Sequence, residues 1–267
     1  MPLRAVASSF MADECLFLSG AVAYQIFFAL IPVLALVVGV LAFVFGPTQA
    51  ERQLTQLIRD FYPSATAQET RIARQLVDGR ALSLGFGIVG TFFATTAVHS
   101  SIDNALAMVL GRAGKRGFVR AYVEAFAFVG GMALLAALSF AISYGSVAAQ
   151  SLMASAGFGA TFRTVLGFVS PFFGFLAGYV LFLGIYQFVP RARVPARSAR
   201  LAALVSAVLW EAAKIAFAFF TRGLGGFTAY GPLAFAAGLL TWIYVTAAIV
   251  LIGAEVIKMR QARHGTG

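Results

Sequence analysis

An all-α membrane protein is the fold class the sequence predicts, with six transmembrane helices and an amphipathic helical segment between the first and second. Three observations predict it. Of 267 residues, 60% are hydrophobic and only 11% charged, whereas soluble domains carry about 25% charged residues. Apolar runs follow one another at about 20 residues each, the length that crosses a bilayer as a helix. Glycine, more frequent in membrane helices than in soluble ones, occurs 27 times. The chain reads as a single membrane domain, 1–267.

The elements follow in order. Residues 1–17 mix Arg4, Asp13 and Glu14 with Val6, Phe10, Leu16 and Phe17, a pattern that predicts a short helix lying on the membrane surface. The first spanning helix is expected over 18–45. Pro32 inside it removes a backbone hydrogen bond and crowds the preceding turn, so a kink or gate is expected there. In a bundle, Gln25 or neighbouring groups can satisfy the freed carbonyl. Residues 46–80 carry charges of both signs, with Leu54, Leu57, Ile58 and Phe61 at helical spacing, and Tyr62-Pro63-Ser64 breaking the pattern. Two short amphipathic helices outside the membrane are expected.

The second span covers 82–108. Its GFGIVG at 85–90 matches a dinucleotide-binding pattern, but no strand precedes it and no βαβ unit surrounds it. Gly87, Gly90 and Ala94 are read instead as positions where a neighbouring helix comes close. Thr96, His99, Ser100 and Asp103 share a face at spacings of three and four. His99 with Asp103 one turn away could relay protons; the alternative is a satisfied structural histidine.

The third span is expected over 118–147, with Glu124 near its start, and the fourth over 164–189, where Gly174 and Gly178 form a G-x-x-x-G packing motif. The fifth covers 201–220, LAALVSAVLWEAAKIAFAFF. Glu211 and Lys214 fall near its middle, where an ionisable group costs roughly 2.5–3.5 kcal/mol on insertion scales. Their i, i+3 spacing lets them neutralise each other on one face. A glycine-rich turn follows, and Gly231 and Pro232 open the sixth span, 232–257, as a second candidate gate. Proline is tolerated in that first turn. Glu255 lies near the end of this span.

The net charge of +10 is accounted for by loops. Lys and Arg number four in loop 2–3, four in loop 4–5 and three in the C-terminal tail, against one each in loops 3–4 and 5–6. The positive-inside rule then puts both termini of a multi-pass membrane protein in the cytoplasm. Loop 1–2, with five basic residues diluted among acids, runs against that count. No nucleic-acid partner is expected. One cysteine, Cys15, forms no internal disulfide, and with two histidines the chain has too few soft ligands for a His/Cys metal site. No cofactor and no catalytic residue are expected.

Three blocks resemble the YihY/BrkB family of bacterial inner-membrane proteins, once labelled ribonuclease BN. They are AVAYQIFFALIPVL (21–34), YQFVPRARVPARSARLAALVSAVLWEAAKIAF (186–217) and AYGPLAFAAGLLTWIYVTAAIVLIGAEV (229–256). Gln25 departs from the family, which often has a second tyrosine after Ala-Tyr. The resemblance implies a six-helix inner-membrane protein, described as a transporter linked to the cell envelope. The ribonuclease label finds no support, since metal-dependent hydrolysis needs clustered carboxylates or histidines.

The expected function is therefore not enzymatic. It is transport or export of an envelope-related amphiphilic or anionic substrate, open to proton coupling. Glu211, Lys214, His99, Asp103, Glu255, Tyr24 and Gln25 are the residues expected along the substrate or ion path. The alternative is a structural or regulatory envelope component in which Glu211 and Lys214 are only a packed ion pair. Expected partners are membrane lipids and a small-molecule or lipid substrate; the sequence leaves homo-oligomerisation open.

Overall fold

The structure is a computed structural model, and it describes residues 3–52, 77–111, 123, 159–190, 194–223 and 231–264. The third expected span, most of the 46–80 segment, Glu124, the basic loop after the second span and the glycine-rich turn at 224–230 lie outside the described residues. The described elements are α1 (Leu3–Ala12), α2 (Cys15–Phe45), α3 (Arg80–Val109), α4 (Gly159–Phe188), α5 (Ala196–Gly223) and α6 (Gly231–His264). No strand occurs among the described residues. Three described helices are long and apolar enough to cross a membrane: α2, α3 and the Ala236–Ala262 part of α6. The apolar stretch Gly174–Phe188 of α4 is shorter.

The chain divides into two compact units. One contains Met1–Ser19, Ile102–Phe220 and Val245–Gly267; the other contains Gly20–Ser101 and Thr221–Tyr244.

In the second of these, α2 and α3 run antiparallel and nearly touch backbone to backbone. A Cβ at Gly39 would stand 2.8 Å from Leu84 N and Cα, and one at Gly87 would collide with the backbone of Leu36. One at Gly90 would sit 2.6 Å from Pro32 Cβ. Lipid tails are as apolar as leucine, so helices in a membrane associate through close packing at small residues. The expected close approach at Gly87 and Gly90 is thus observed, and its partners are Leu36 and Pro32. The α2 helix runs unbroken through Pro32, which is buried against α3. Gly46, at φ 82°, ends α2 in the left-handed conformation that glycine adopts at no steric cost, and Pro47 follows it. Val38 and Ala42 of α2 form a small buried cluster with Ala50 and Val77, and Leu41 packs on it.

In the other unit, α5 presents a stripe of small residues. Ala199, Ala202, Ala203, Ser206 and Ala207 recur at i, i+3, i+4, i+7 and i+8 and are all buried. Leu204, Val208, Ile215 and Phe219 lie on the opposite, exposed side. Tyr186 of α4 is fully buried beside the stripe and ties three helices together. Its hydroxyl donates to the Val250 carbonyl of α6 at 2.9 Å and shares a 2.7 Å hydrogen bond with Ser206 Oγ. Ser206 Oγ also lies 3.3 Å from the Ile249 carbonyl. A buried tyrosine hydroxyl needs such partners. Gly253 of α6 makes room for it: a Cβ there would overlap Tyr186 Oη and lie 2.5 Å from Ser206 Oγ. The partners of the expected G-x-x-x-G of α4 are seen only in part among the described residues. No described residue lies within 4 Å of a Cβ at Gly174, and Gly178 makes only ordinary contact with the Trp210 side chain at 3.7 Å.

The first helix, α1, ends in a turn in which Asp13 N bonds to Ser9 O at 2.9 Å and Glu14 N to Met11 O at 3.2 Å. Glu14 holds φ 52°, a left-handed conformation costing a non-glycine residue roughly 1–2 kcal/mol. The turn lets α2 start at Cys15 directly after α1.

Candidate functional site

Ionisable groups inside apolar helices are the places to look, because each must be neutralised locally or hydrated. Two acid–base pairs with the same spacing stand out: Glu211-Ala-Ala-Lys214 on α5 and Glu255-Val-Ile-Lys258 on α6. Both belong to the same compact unit.

On α5 the pair is closed. Lys214 Nζ lies 2.7 Å from Glu211 Oε1, and the side chains are 41% and 31% exposed. Lys214 follows Ala207 by seven residues, so it stays near the buried stripe; Glu211 sits at its flank, beside exposed Val208 and Ile215. The pair therefore lies at the margin of the packed face, neither enclosed by it nor on the outward apolar side. Trp210, next to it, meets Phe182 of α4 edge to face with centroids 6.3 Å apart.

On α6 the pair is open and a third group has intervened. Glu255 is fully buried, with Oε2 4.0 Å from Lys258 Nζ and Oε1 accepting from Cys15 Sγ at 3.7 Å. Lys258 instead donates to Asp13 Oδ2 in the turn after α1 and reaches Ser9 Oγ at 3.5 Å. Burial by itself would raise the Asp13 pKa. The Lys258 ammonium and the adjacent Glu255 carboxyl outweigh it and hold Asp13 below the usual carboxylate range. Ser19, also fully buried, returns its hydroxyl to the Cys15 carbonyl at 2.6 Å.

The other expected path residues are placed as follows. His99 and Asp103, one turn apart on α3, are both buried. Tyr24 is 58% exposed and its ring meets Phe28 at 4.5 Å between centroids; Gln25 beside it is half-buried. Gly231 and Pro232 begin α6. Tyr24, Gln25, Pro32, His99, Gly231 and Pro232 belong to the unit that contains Gly20–Ser101, whereas Asp103, Glu211, Lys214 and Glu255 belong to the other. Among the described residues, no three His, Cys, Asp or Glu side chains gather as metal ligands would.

Sequence reasoning reached Glu255 but missed Asp13, Cys15, Ser9 and Lys258 as its neighbours. The one signal available was the Glu-x-x-Lys spacing, the same as on α5, which marks a one-face pair in either helix. Asp13 and Cys15 lie more than two hundred positions away and carry no local mark of the contact.

The family model described as Virulence factor BrkB matches residues 6–267. A UPF0761 membrane protein of Cronobacter sakazakii is 28% identical over 259 residues, covering 94% of this chain and 87% of that protein. One of Acinetobacter baylyi is 26% identical over 266 residues, covering 97% of this chain but 62% of its own length. The UPF0761 membrane protein YihY of Escherichia coli is 29% identical over 201 residues, 75% of this chain and 67% of that protein. The chain thus spans less than two thirds of some relatives, 60% in the case of Alkalilimnicola ehrlichii. No solved structure matches. The match to the family model takes in α2 through α6 and all the ionisable residues described above, and this chain of apolar helices belongs to the BrkB virulence factor family of membrane proteins.

Proposed function

We propose that this protein is a transporter in the bacterial inner membrane. It crosses the bilayer six times with both termini in the cytoplasm and moves an envelope-related anionic or amphiphilic substrate. The observation that carries this reading is the Glu211–Lys214 pair: closed at 2.7 Å, about a third exposed, and midway along α5, within its run of apolar residues 201–220. Two charges facing hydrocarbon would together cost roughly 5–7 kcal/mol on insertion scales. Partial exposure at that depth is therefore best accommodated by a hydrated path, and a lysine paired to a carboxylate on such a path can exchange that partner for an anionic headgroup. Membrane lipids are the surrounding partners, and a proton gradient is the driving force considered.

The test is flux in proteoliposomes, scored as movement of a fluorescent anionic phospholipid analogue between leaflets with and without a pH gradient. Glu211→Gln at equal protein level should collapse it. Unchanged flux in that variant would remove the support for translocation through this pair.

A second reading, a structural or regulatory envelope protein that moves nothing, draws on the same closed geometry. A self-satisfied ion pair can be replaced by apolar residues with little loss. The double variant Glu211→Met, Lys214→Leu separates the readings: it leaves a scaffold working and stops a transporter.

A further inference from the structure

The cluster around Glu255 is more than a structural tie. Two carboxylates, Asp13 and Glu255, stand against one ammonium, Lys258, and the acid that loses the competition is the one with no exposure to water. The other charged or titratable group recorded against Glu255 is the Cys15 thiol, which donates to Oε1; Ser9 adds a hydroxyl beside Lys258. Against the Glu255 carboxyl also lie the Ser9 hydroxyl and the Asp13 carboxyl, but no well-formed hydrogen bond reaches Oε2 among the described residues. With both acids ionised, the cluster carries a net charge of −1 around a fully buried oxygen, and an uncompensated buried charge neutralises by taking a proton. The geometry points to a single-proton binding site formed by Glu255, Asp13 and Lys258, in which Glu255 holds the proton while Lys258 is committed to Asp13.

The low Asp13 pKa fits this arrangement, because a neighbouring carboxyl stabilises a carboxylate only while it carries the proton itself. The site has a structural consequence. Lys258 is the side chain by which α6 grips Ser9 and Asp13, at the end of α1. When Glu255 gives its proton to water, its Oε2, already 4.0 Å from Lys258 Nζ, becomes a second anion competing for that grip. Protonation of Glu255 and attachment of α1 to α6 are therefore linked. The inference does not depend on transport and stands or falls separately from it.

Infrared difference spectroscopy of the purified full chain in lipid nanodiscs tests it. Wild type should show the C=O stretch of a protonated carboxylic acid that fades reversibly as pH rises, and Glu255→Gln should abolish it. Asp13→Asn frees Lys258 for Glu255, so this variant should lose the band as well. Lys258→Met removes the cation from two acids, so it should gain intensity. A band unaffected by Glu255→Gln would show that Glu255 is ionised and overturn the proposal. A band that persists in Asp13→Asn would show that burial alone holds the proton and would equally overturn the three-residue site. Maleimide labelling of the single, fully buried Cys15 keeps these results interpretable: a variant in which it stays unreactive has kept the fold around the cluster.

Discussion

Replacing Gly253 by alanine gives the sharpest test of how the three-helix knot is built, because two physical effects predict opposite signs. Gly253 lies inside α6, and glycine within a helix is about 1 kcal/mol less favourable than alanine. Propensity alone therefore predicts stabilisation. The packing predicts the reverse. An added Cβ would stand 2.5 Å from Ser206 Oγ and from Tyr186 Cζ, and would overlap Tyr186 Oη. Neither neighbour is a flexible side-chain end on the surface; both residues are fully buried. Overpacking a tight site costs typically 1–3 kcal/mol. Displacing the tyrosine also strains its hydrogen bonds at 2.7 and 2.9 Å, each contributing about 0.5–1.5 kcal/mol net. Subtracting the propensity gain leaves a destabilisation of about 1–5 kcal/mol. The assay is reversible unfolding in mixed micelles, with Gly238→Ala on the same helix as reference, since no described residue lies within 4 Å of a Cβ there. If Gly253→Ala proves as stable as Gly238→Ala, the three-helix knot is not packed as described.

Three further outcomes follow from the same geometry. Gly87→Ala should destabilise the α2–α3 pair by about 1–3 kcal/mol while Gly85→Ala, whose Cβ meets no described residue within 4 Å, should not; equal unfolding curves would contradict the backbone contact at Leu36. Glu14→Gly should stabilise the protein by about 1 kcal/mol by relieving the left-handed φ of 52°, measured as a higher Tm, and a lower Tm would show that the Glu14 side chain contributes more than the strain costs. Asp13 has a folded-state pKa below the ordinary value of 3.8, so its contribution is full above that value and fades as pH falls through the lower folded-state value. The Tm gap between wild type and Asp13→Asn should therefore close in strong acid; a gap that persists at the acid end would refute the Asp13–Lys258 link.

The fold class was legible because apolarity dominates this composition, and α2 and α3 were located to within a few residues. Boundaries were less legible wherever a helix outlasts its apolar stretch. The apolar run of α6 stops at Ile257, but the helix continues through Lys258 and Arg260 to His264. Hydrophobicity marks the part of a helix suited to hydrocarbon, whereas the backbone bonds continue into water as long as no breaker intervenes. For the same reason α4 begins at Gly159 and not at Thr164, and α5 at Ala196, directly after Pro195, where a loop was expected. Small-residue motifs were half legible. Gly87 and Gly90 were read correctly as contact positions, whereas the better-formed motif at Gly174 and Gly178 packs loosely among the described residues.

The two Glu-x-x-Lys pairs make the same point for the chemistry. In sequence they are equivalent, and an isolated helix would close both. On α5 Lys214 meets Glu211 at 2.7 Å, whereas on α6 Lys258 stands 4.0 Å from Glu255 and bonds to Asp13. The difference lies outside either helix, in a turn that brings Asp13 to Lys258 because Glu14 accepts a left-handed backbone. One pair is thereby left as a closed couple at the edge of a packed face, and the other becomes a buried acid deprived of its base. The second arrangement stores a proton. Asp13, a residue with no distinguishing local pattern, therefore decides which of the two pairs stays closed.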